Sequence, residues 1–283
     1  MANEIGNTEV SSAQNSLVSQ LVQQALREKS VLFPTIKNYG TYAGASEVKI
    51  PRVDDFSAAN KSENTDLSNQ ELTFSSDTIS LNLHKGVRAT VEDQARLTAG
   101  VDVMSEVIKA QADEIAIAID TNICTQLRSV SSAAPDHLLD YADSSGDTLA
   151  VADIANARSL LRTQKVPMDD GQLYMAISPE CEKELLNISN FIKANEYGDP
   201  SVLKNGFIGR ILGFNVVVTS LLTANESVFY HSSHCGFAWG MEPKFEMQRK
   251  PESLGDMAVT SALYGTAVLD GGKRGVHFNG SGS

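Results

Sequence analysis

The chain has 283 residues, of which 42% are hydrophobic and 20% are charged, and this is enough to bury one large core or two smaller ones. Its formal net charge of -12 argues against a protein that grips nucleic acid through clustered Lys and Arg, but it is compatible with enclosing nucleic acid. The N-terminus has no basic start followed by an apolar run, and no stretch reaches the about 18 apolar residues of a membrane span. We therefore expect neither a secretory signal nor a transmembrane helix.

The first predicted element is an amphipathic helix on an N-terminal arm. In the stretch SSAQNSLVSQLVQQALREKSVLF, apolar residues recur at helical spacing, and one broad apolar face is formed by Leu17, Val18, Leu21, Val22, Ala25 and Leu26. Pro34 ends this helix, because proline cannot continue the backbone hydrogen-bond pattern.

A long β-hairpin is predicted next. The runs SEVKIPRV and TISLNLHKG both alternate apolar and polar residues, and in the second run Ile79, Leu81 and Leu83 lie on one side of the strand. The polar segment between the runs has almost nothing to bury, and two strands joined by such a loop are marginally stable in water. The hairpin is either a lid folded onto its own domain or an arm that packs on a neighbouring chain, and the polar tip favours the arm.

A single long helix is predicted over about residues 101–129, after a short helical turn at residues 91–98. The stretch VDVMSEVIKAQADEIAIAIDTNICTQLRSV contains neither Gly nor Pro, and its apolar residues recur every three or four positions. About 28 helical residues span roughly 42 Å, far more than the typical helix of about 11 residues. Such a rod is more often a structural spine than a catalytic element.

The second half of the chain changes character after the linker SSAAPDHLLDYADSSGDT. Helices and strands alternate over about residues 148–240, which predicts a compact α/β unit. Two extended pieces follow, from Phe245 to Arg249 and from Asp256 to Leu269, before a Gly-rich tail. Because β structure resumes after the α/β unit, we predict an α+β fold with the α/β unit inserted into a discontinuous first region.

No set of residues reaches the pattern of a catalytic or metal site. His231, His234 and Cys235 offer the imidazole and thiolate groups that zinc prefers, but a structural zinc site needs four ligands and no matching pair occurs at a useful spacing. The three cysteines show no pairing pattern and predict reduced thiols in a cytoplasmic setting. We expect no enzyme activity and no cofactor.

The order of these parts resembles the major capsid protein of tailed bacteriophages, which has the Hong Kong 97-type shell fold. The stretch FIKANEYGDPSVLKNGFIGRILGFNVVVTSLL resembles that family's axial-domain passage, and SVFYHSSHCGFAWG resembles its next strand and exit turn. MEPKFEMQRKPESLGDMAVTSALYGTAVLDGGKRGV resembles the closing strands of its peripheral domain, and VEDQARLTAGVDVMSEVIKAQADEIAIAIDTNI resembles its spine helix. No single motif is specific, but the ordered set is, and it spans roughly residues 11–277.

The resemblance implies a division of the chain and a set of contact residues. The expected parts are an N-terminal arm (1–45), an extended loop (46–88), a peripheral domain (89–146 and 241–277), an inserted axial domain (147–240) and a flexible tail (278–283). The extended loop and the arm are expected to bury apolar side chains on neighbouring subunits. The expected contacts are Ile50, Leu72, Phe74, Ile79, Leu81 and Leu83 in the loop, and Leu17, Leu21 and Leu26 in the arm.

The function that the resemblance implies is structural. Rings of five and six identical chains would close into an icosahedral shell around double-stranded DNA, assembled in the host cytoplasm and retained in the virion. The expected partners are the chain itself, a portal, a separate scaffolding protein and, as optional additions, decoration proteins. Two alternatives remain open, namely an encapsulin-type shell around enzymes and a two-domain enzyme with a hairpin lid.

Overall fold

The computed structural model describes residues 30–53, 74–98, 103–141, 148–187 and 209–280, together with isolated positions between 58 and 66. In chain order the helices are α1 (Asp93–Thr98), α2 (Val103–Leu127), α3 (Val151–Thr163) and α4 (Pro179–Asn187). The strands are β1 (Lys37–Thr41), β2 (Glu47–Val53), β3 (Phe74–Ser80), β4 (Leu83–Glu92), β5 (Leu138–Leu139), β6 (Leu173–Ile177), β7 (Arg210–Ile211), β8 (Phe214–Val218), β9 (Glu226–His231), β10 (Cys235–Lys250), β11 (Gly255–Val268) and β12 (Gly275–Asn279).

A four-stranded sheet and the long helix form the first layer pair. The strand order is β1-β10-β11-β4, with β1 parallel to β10 and the other neighbours antiparallel. Helix α2 fulfils the prediction of a spine over about 101–129, with 25 residues that span about 37 Å. Its buried face, which includes Ile115, Ile119 and Ile123, shares a core with Phe237 and Tyr264 of β10 and β11.

A six-stranded sheet of order β5-β12-β9-β6-β8-β7 forms the second unit, and it confirms the α/β character predicted for residues 148–240. Its core gathers Leu161 from α3, Leu185 from α4 and Phe229 from β9. The tight turn between β7 and β8 uses Leu212 and Gly213, both with positive φ (45° and 92°), as a two-residue hairpin of this type requires.

Two expected limits of these units need correction. Strand β10 of the four-stranded sheet begins at Cys235 rather than at about 241. Strand β12, expected partly in the peripheral domain and partly in a flexible tail from residue 278, pairs with β9 in the six-stranded sheet, and Phe278 is buried. Alternating apolar residues predict a strand but do not tell which sheet receives it, so the sequence could not place β12.

The extended hairpin consists of β2 and β3, which pair antiparallel as a two-stranded sheet. The run TISLNLHKG does not form one strand, because β3 ends at Ser80 and β4 begins at Leu83. At this break the chain stops pairing with β2 and starts pairing with β11 of the four-stranded sheet. Among the described residues, no helix combines the length and apolar character that a membrane crossing needs.

Candidate assembly surfaces

The inner face of the extended hairpin is covered by its own chain. Strand pairing places Val48 opposite Ile79 on this face, and Ile79 is 0% exposed. Both pack with Leu81 and with Ala238 of β10 in a small apolar cluster. The expectation that Ile79 and Leu81 face a neighbouring subunit therefore needs correction, because the chain's own four-stranded sheet already buries these two side chains.

A close approach between backbones fixes the root of the hairpin. The carbonyl of Ser80 lies so near Gly265 of β11 that a Cβ there would collide with it. The backbone N–H of Leu81 donates to the carbonyl of Ser46 at 2.9 Å. The root is therefore held by backbone contacts as well as by apolar packing, and Gly265 is required for space.

Charged side chains hold the inner face beyond the apolar cluster. Arg52 pairs with Asp270 in the connection between β11 and β12, and its guanidinium also lies 4.0 Å from the carboxylate of Asp77. Asp77 accepts the backbone N–H of Asp270 at 2.9 Å, and Arg274 donates to Asp270 at 3.1 Å. We call the contacts of Arg52 with Asp77 and Asp270 the clasp. Because the Arg52 side chain is 36% exposed, the clasp contributes modestly to stability, but it constrains the direction of the hairpin.

The outer face of the hairpin remains uncovered at its far end. Phe74 points away from Ile79 because successive side chains of a strand alternate between faces, and it is 69% exposed. The other predicted loop contacts differ from Phe74. Ile50 lies on the inner face, partly buried beside the apolar cluster, and Leu83 is partly buried against the core under α2. The predicted contacts Leu72, Leu17, Leu21 and Leu26 lie outside the described residues.

A buried carboxylate connects the end of the spine helix to the six-stranded sheet. Arg128, just after α2, donates to both carboxylate oxygens of Glu226 at 2.6 and 2.7 Å. His277 Nε2 lies 2.7 Å from the same carboxylate, and Thr223 donates from its backbone and its hydroxyl. Burial opposes the ionisation of Glu226, but the hydrogen bonds from His277, Arg128 and Thr223 prevail and hold its pKa well below the usual range.

Sequence reasoning missed this network, because its members are distant along the chain. Arg128 and Glu226 are 98 residues apart, and Glu226 and His277 are 51 residues apart. No local periodicity or spacing links such residues, so only the fold brings them together.

The histidine and cysteine cluster weighed for zinc is dispersed by the fold. His231 bonds to Asp170 at 2.8 Å and to Ser233 at 2.7 Å, whereas His234 is fully buried elsewhere. Burial raises the pKa of the Cys235 thiol to about 12, so this group stays protonated. Within the described ranges, no group of three or more His, Cys, Asp or Glu side chains is placed to hold a metal ion.

The tip formed by α1 and the turn between β10 and β11 is a second exposed apolar surface that the sequence did not reveal. Leu97 is 87% exposed and Leu254 is 69% exposed. The backbone N–H of Asp93 donates to the carbonyl of Leu254 at 2.9 Å, and Arg249 pairs with Asp93 at 2.5 Å. Leu254 has φ 42°, an unusual conformation for leucine, so the turn presents this side chain outward from a fixed base.

A cleft of about 400 Å³ lies between the hairpin root and the spine helix. Its lining includes Ser80, Asn82, Asn122 and Thr125, and among the described residues that line it no side chain titrates in the physiological range.

Comparisons with known proteins agree with this architecture. The model of a phage capsid protein family matches residues 8–276. A structure from Mycobacterium phage Che8 superposes with a TM-score of 0.71 at 20% identity, covering 90% of this chain and 92% of that one. The capsid structure of the cyanophage P-SCSP1u gives a TM-score of 0.72 at 16% identity, covering 90% and 89%. A virus-like particle from Pyrococcus furiosus gives 0.63 at 12% identity, covering 94% and 99%. No curated protein matches significantly.

The chain belongs to this family of phage capsid proteins. The solved structures show that it has the fold of phage shell proteins, the Hong Kong 97-type fold expected from the sequence. It is a structural, non-enzymatic major capsid protein that self-assembles and resides in the virion. The family match also favours a phage capsid over an encapsulin-type shell.

Proposed function

We propose that the subunits join through three surfaces: the outer face of the extended hairpin around Phe74, the apolar side of the N-terminal arm, and the exposed tip with Leu97 and Leu254. The observation that carries this proposal is an aromatic side chain, 69% exposed, at the far end of a hairpin whose opposite face is fixed to its own body. Covering a large apolar side chain contributes about 1.5–3 kcal/mol per site. Repetition around a ring raises the effective concentration, so that modest contacts sum to a durable shell.

The arm is the second contact surface. Leu17, Leu21 and Leu26 belong to the broad apolar face expected from the sequence, and the chain from Ser30 onward is anchored in the body, since Leu32 is 0% exposed. An apolar face that lies ahead of this anchor is available to a neighbour. The exposed tip with Leu97 and Leu254 supplies a third surface for contacts between subunits.

The shell encloses double-stranded DNA without gripping it. The net charge of -12 disfavours stable phosphate contacts, so packaged DNA is free to leave again. The resemblance to tailed-phage capsid proteins further supports a portal and a separate scaffolding protein as partners, with decoration proteins as optional additions.

The hairpin proposal is tested by placing the same charge at neighbouring positions of one face. Phe74→Asp should leave a folded, soluble subunit, judged by circular dichroism, that no longer closes into shells under the electron microscope. Ser76→Asp is the matched control, because Ser76 is exposed on the same face of β3 but offers no apolar surface. Normal shells from Phe74→Asp would refute the outer face as a contact, and equal failure of both variants would point to charge rather than apolar contact.

A further inference from the structure

The point at which the N-terminal arm joins the body is held by one carboxylate of the spine helix. Asp120 of α2 is 5% exposed. One of its oxygens accepts the backbone N–H groups of Val31 at 2.8 Å and Leu32 at 3.2 Å. The other accepts the backbone N–H of Phe33 at 3.2 Å and the hydroxyl of Ser30. Four donors from four successive residues therefore converge on a single side chain.

The same short segment is fixed to the second sheet on its other side. Thr35 is buried, and its hydroxyl bonds to the carbonyl of Leu32 at 2.7 Å and to the phenol of Tyr230 at 2.7 Å. Leu32 lies between these anchors with its side chain in the core of α2. The root of the arm thus bridges the spine helix and the six-stranded sheet.

The two anchors have different chemistry. The contact with Tyr230 is one neutral hydrogen bond, whereas Asp120 makes several charge-assisted bonds, which are about twice as strong as neutral ones. The three backbone donors precede or open the short helical turn Phe33–Thr35, where they have no acceptor within the turn itself. Asp120 therefore defines the conformation of residues 30–33, at the start of the part of the chain that the structure describes.

We propose that Asp120 is the positioning residue of the N-terminal arm, because it fixes the segment 30–33 from which the arm continues toward a neighbouring subunit. This inference rests on the proposed function of the arm as a contact between subunits. The inference gives Asp120 a role beyond the local stability of residues 30–33. Without this carboxylate the arm would be presented in many directions, which raises the conformational entropy lost when the arm docks.

The test uses the full-length chain and compares Asp120→Asn with Glu114→Gln. Asn keeps the size of Asp120 but loses the charge and part of the acceptor capacity, and Glu114 is an exposed acid on the same helix. We expect Asp120→Asn to remain folded by circular dichroism and to raise the protein concentration for half-maximal shell formation about tenfold. We also expect faster protease cleavage of residues 1–29 in its shells. Glu114→Gln should change neither value. Should Asp120→Asn fail to fold, Ser30→Ala takes its place, because it removes the hydroxyl that donates to Asp120 and accepts from the backbone N–H of Phe33 at 3.3 Å but leaves the carboxylate and its three backbone donors intact.

A second background separates positioning from general stability. In a chain carrying Leu17→Ala, Leu21→Ala and Leu26→Ala, the arm no longer docks, so Asp120→Asn should add little to the concentration requirement. An equal effect of Asp120→Asn in both backgrounds would overturn the inference. If the triple-alanine chain forms no shells, cleavage of residues 1–29 in Asp120→Asn shells decides, and an unchanged rate overturns it. Normal assembly of the triple-alanine chain would instead refute the proposed arm contact, on which the inference rests.

Discussion

The two faces of the extended hairpin differ in what they stabilise. The inner face carries Val48, Ile50 and Ile79 and is covered by the four-stranded sheet of the same chain. The outer face carries Phe74, which remains 69% exposed. Alternating side chains of the hairpin therefore have different roles. The inner residues contribute to the folding of the subunit, and the outer residue is available for assembly.

The largest expected effect comes from a charge on the inner face. Ile79→Asp places an unpaired carboxylate where the side chain is 0% exposed, and we expect it to destabilise the subunit by about 3–5 kcal/mol. Denaturant unfolding of the unassembled chain measures this loss. Thr78→Asp is the control on the exposed face of the same strand. Equal stability of the two variants would contradict the division between the faces.

Removal of the loop tip should impair shell assembly but leave the subunit stable, the reverse of what we expect for Ile79→Asp. Deletion of Asp54 to Asn69 leaves residues 70–73 to connect Val53 with its strand partner Phe74, and four-residue connections suit a hairpin. We expect a folded subunit whose stability changes by less than about 1 kcal/mol but which does not close shells. Electron microscopy measures shell closure, and urea unfolding measures the stability of the subunit. Shells of normal size and stability from this chain would show that the loop makes no required contact.

Acid should destabilise the folded subunit through the buried His234 rather than through the exposed face of the hairpin. Burial lowers the pKa of His234 to about 4, and His137 and Arg274 act in the same direction. The Leu127 carbonyl favours the charged form but does not reach hydrogen-bond geometry, so burial prevails. In the unfolded chain this histidine binds a proton at its ordinary pKa, about 6.5, whereas in the folded chain it does not. The stability that depends on neutral His234 is therefore fully present above about pH 6.5.

This histidine should therefore reduce stability as the pH falls from about 6.5 to about 4, by about 3 kcal/mol in total. His234→Phe removes the titration, and unfolding midpoints of this variant should depend less on pH in that window. The control is His84→Phe, because His84 is exposed on β4. The same pH dependence in His234→Phe as in the unchanged chain would exclude His234 as the source.

The smallest expected effect concerns the clasp between the hairpin and the body. Arg52→Ala removes the pair with Asp270 and should lower the free energy of unfolding by less than about 1 kcal/mol, because Arg52 is partly exposed. Shell assembly should slow nevertheless, since the hairpin direction is less constrained. Lys49→Ala breaks an exposed pair with Glu47 and serves as the control. If light scattering gives identical assembly rates for both variants, the clasp does not orient the hairpin.

The sequence by itself determined the elements whose signal is local. The recurrence of apolar residues predicted α2 to within a few residues, the first strand of the hairpin and the α/β character of the second unit, because periodicity follows directly from helix and strand geometry. The ordered set of segments also led to the capsid fold that the family match and the solved structures show.

Only the tertiary structure decided which surface covers which. Alternation in β3 shows that the strand has two faces, but it does not tell that the sheet of the same chain buries Ile79 and leaves Phe74 exposed. The placement of β12 in the six-stranded sheet, the network around Glu226 and the anchor at Asp120 share this origin. Each depends on residues distant along the chain, whose contact is set by the packing of whole elements and leaves no local pattern in the sequence.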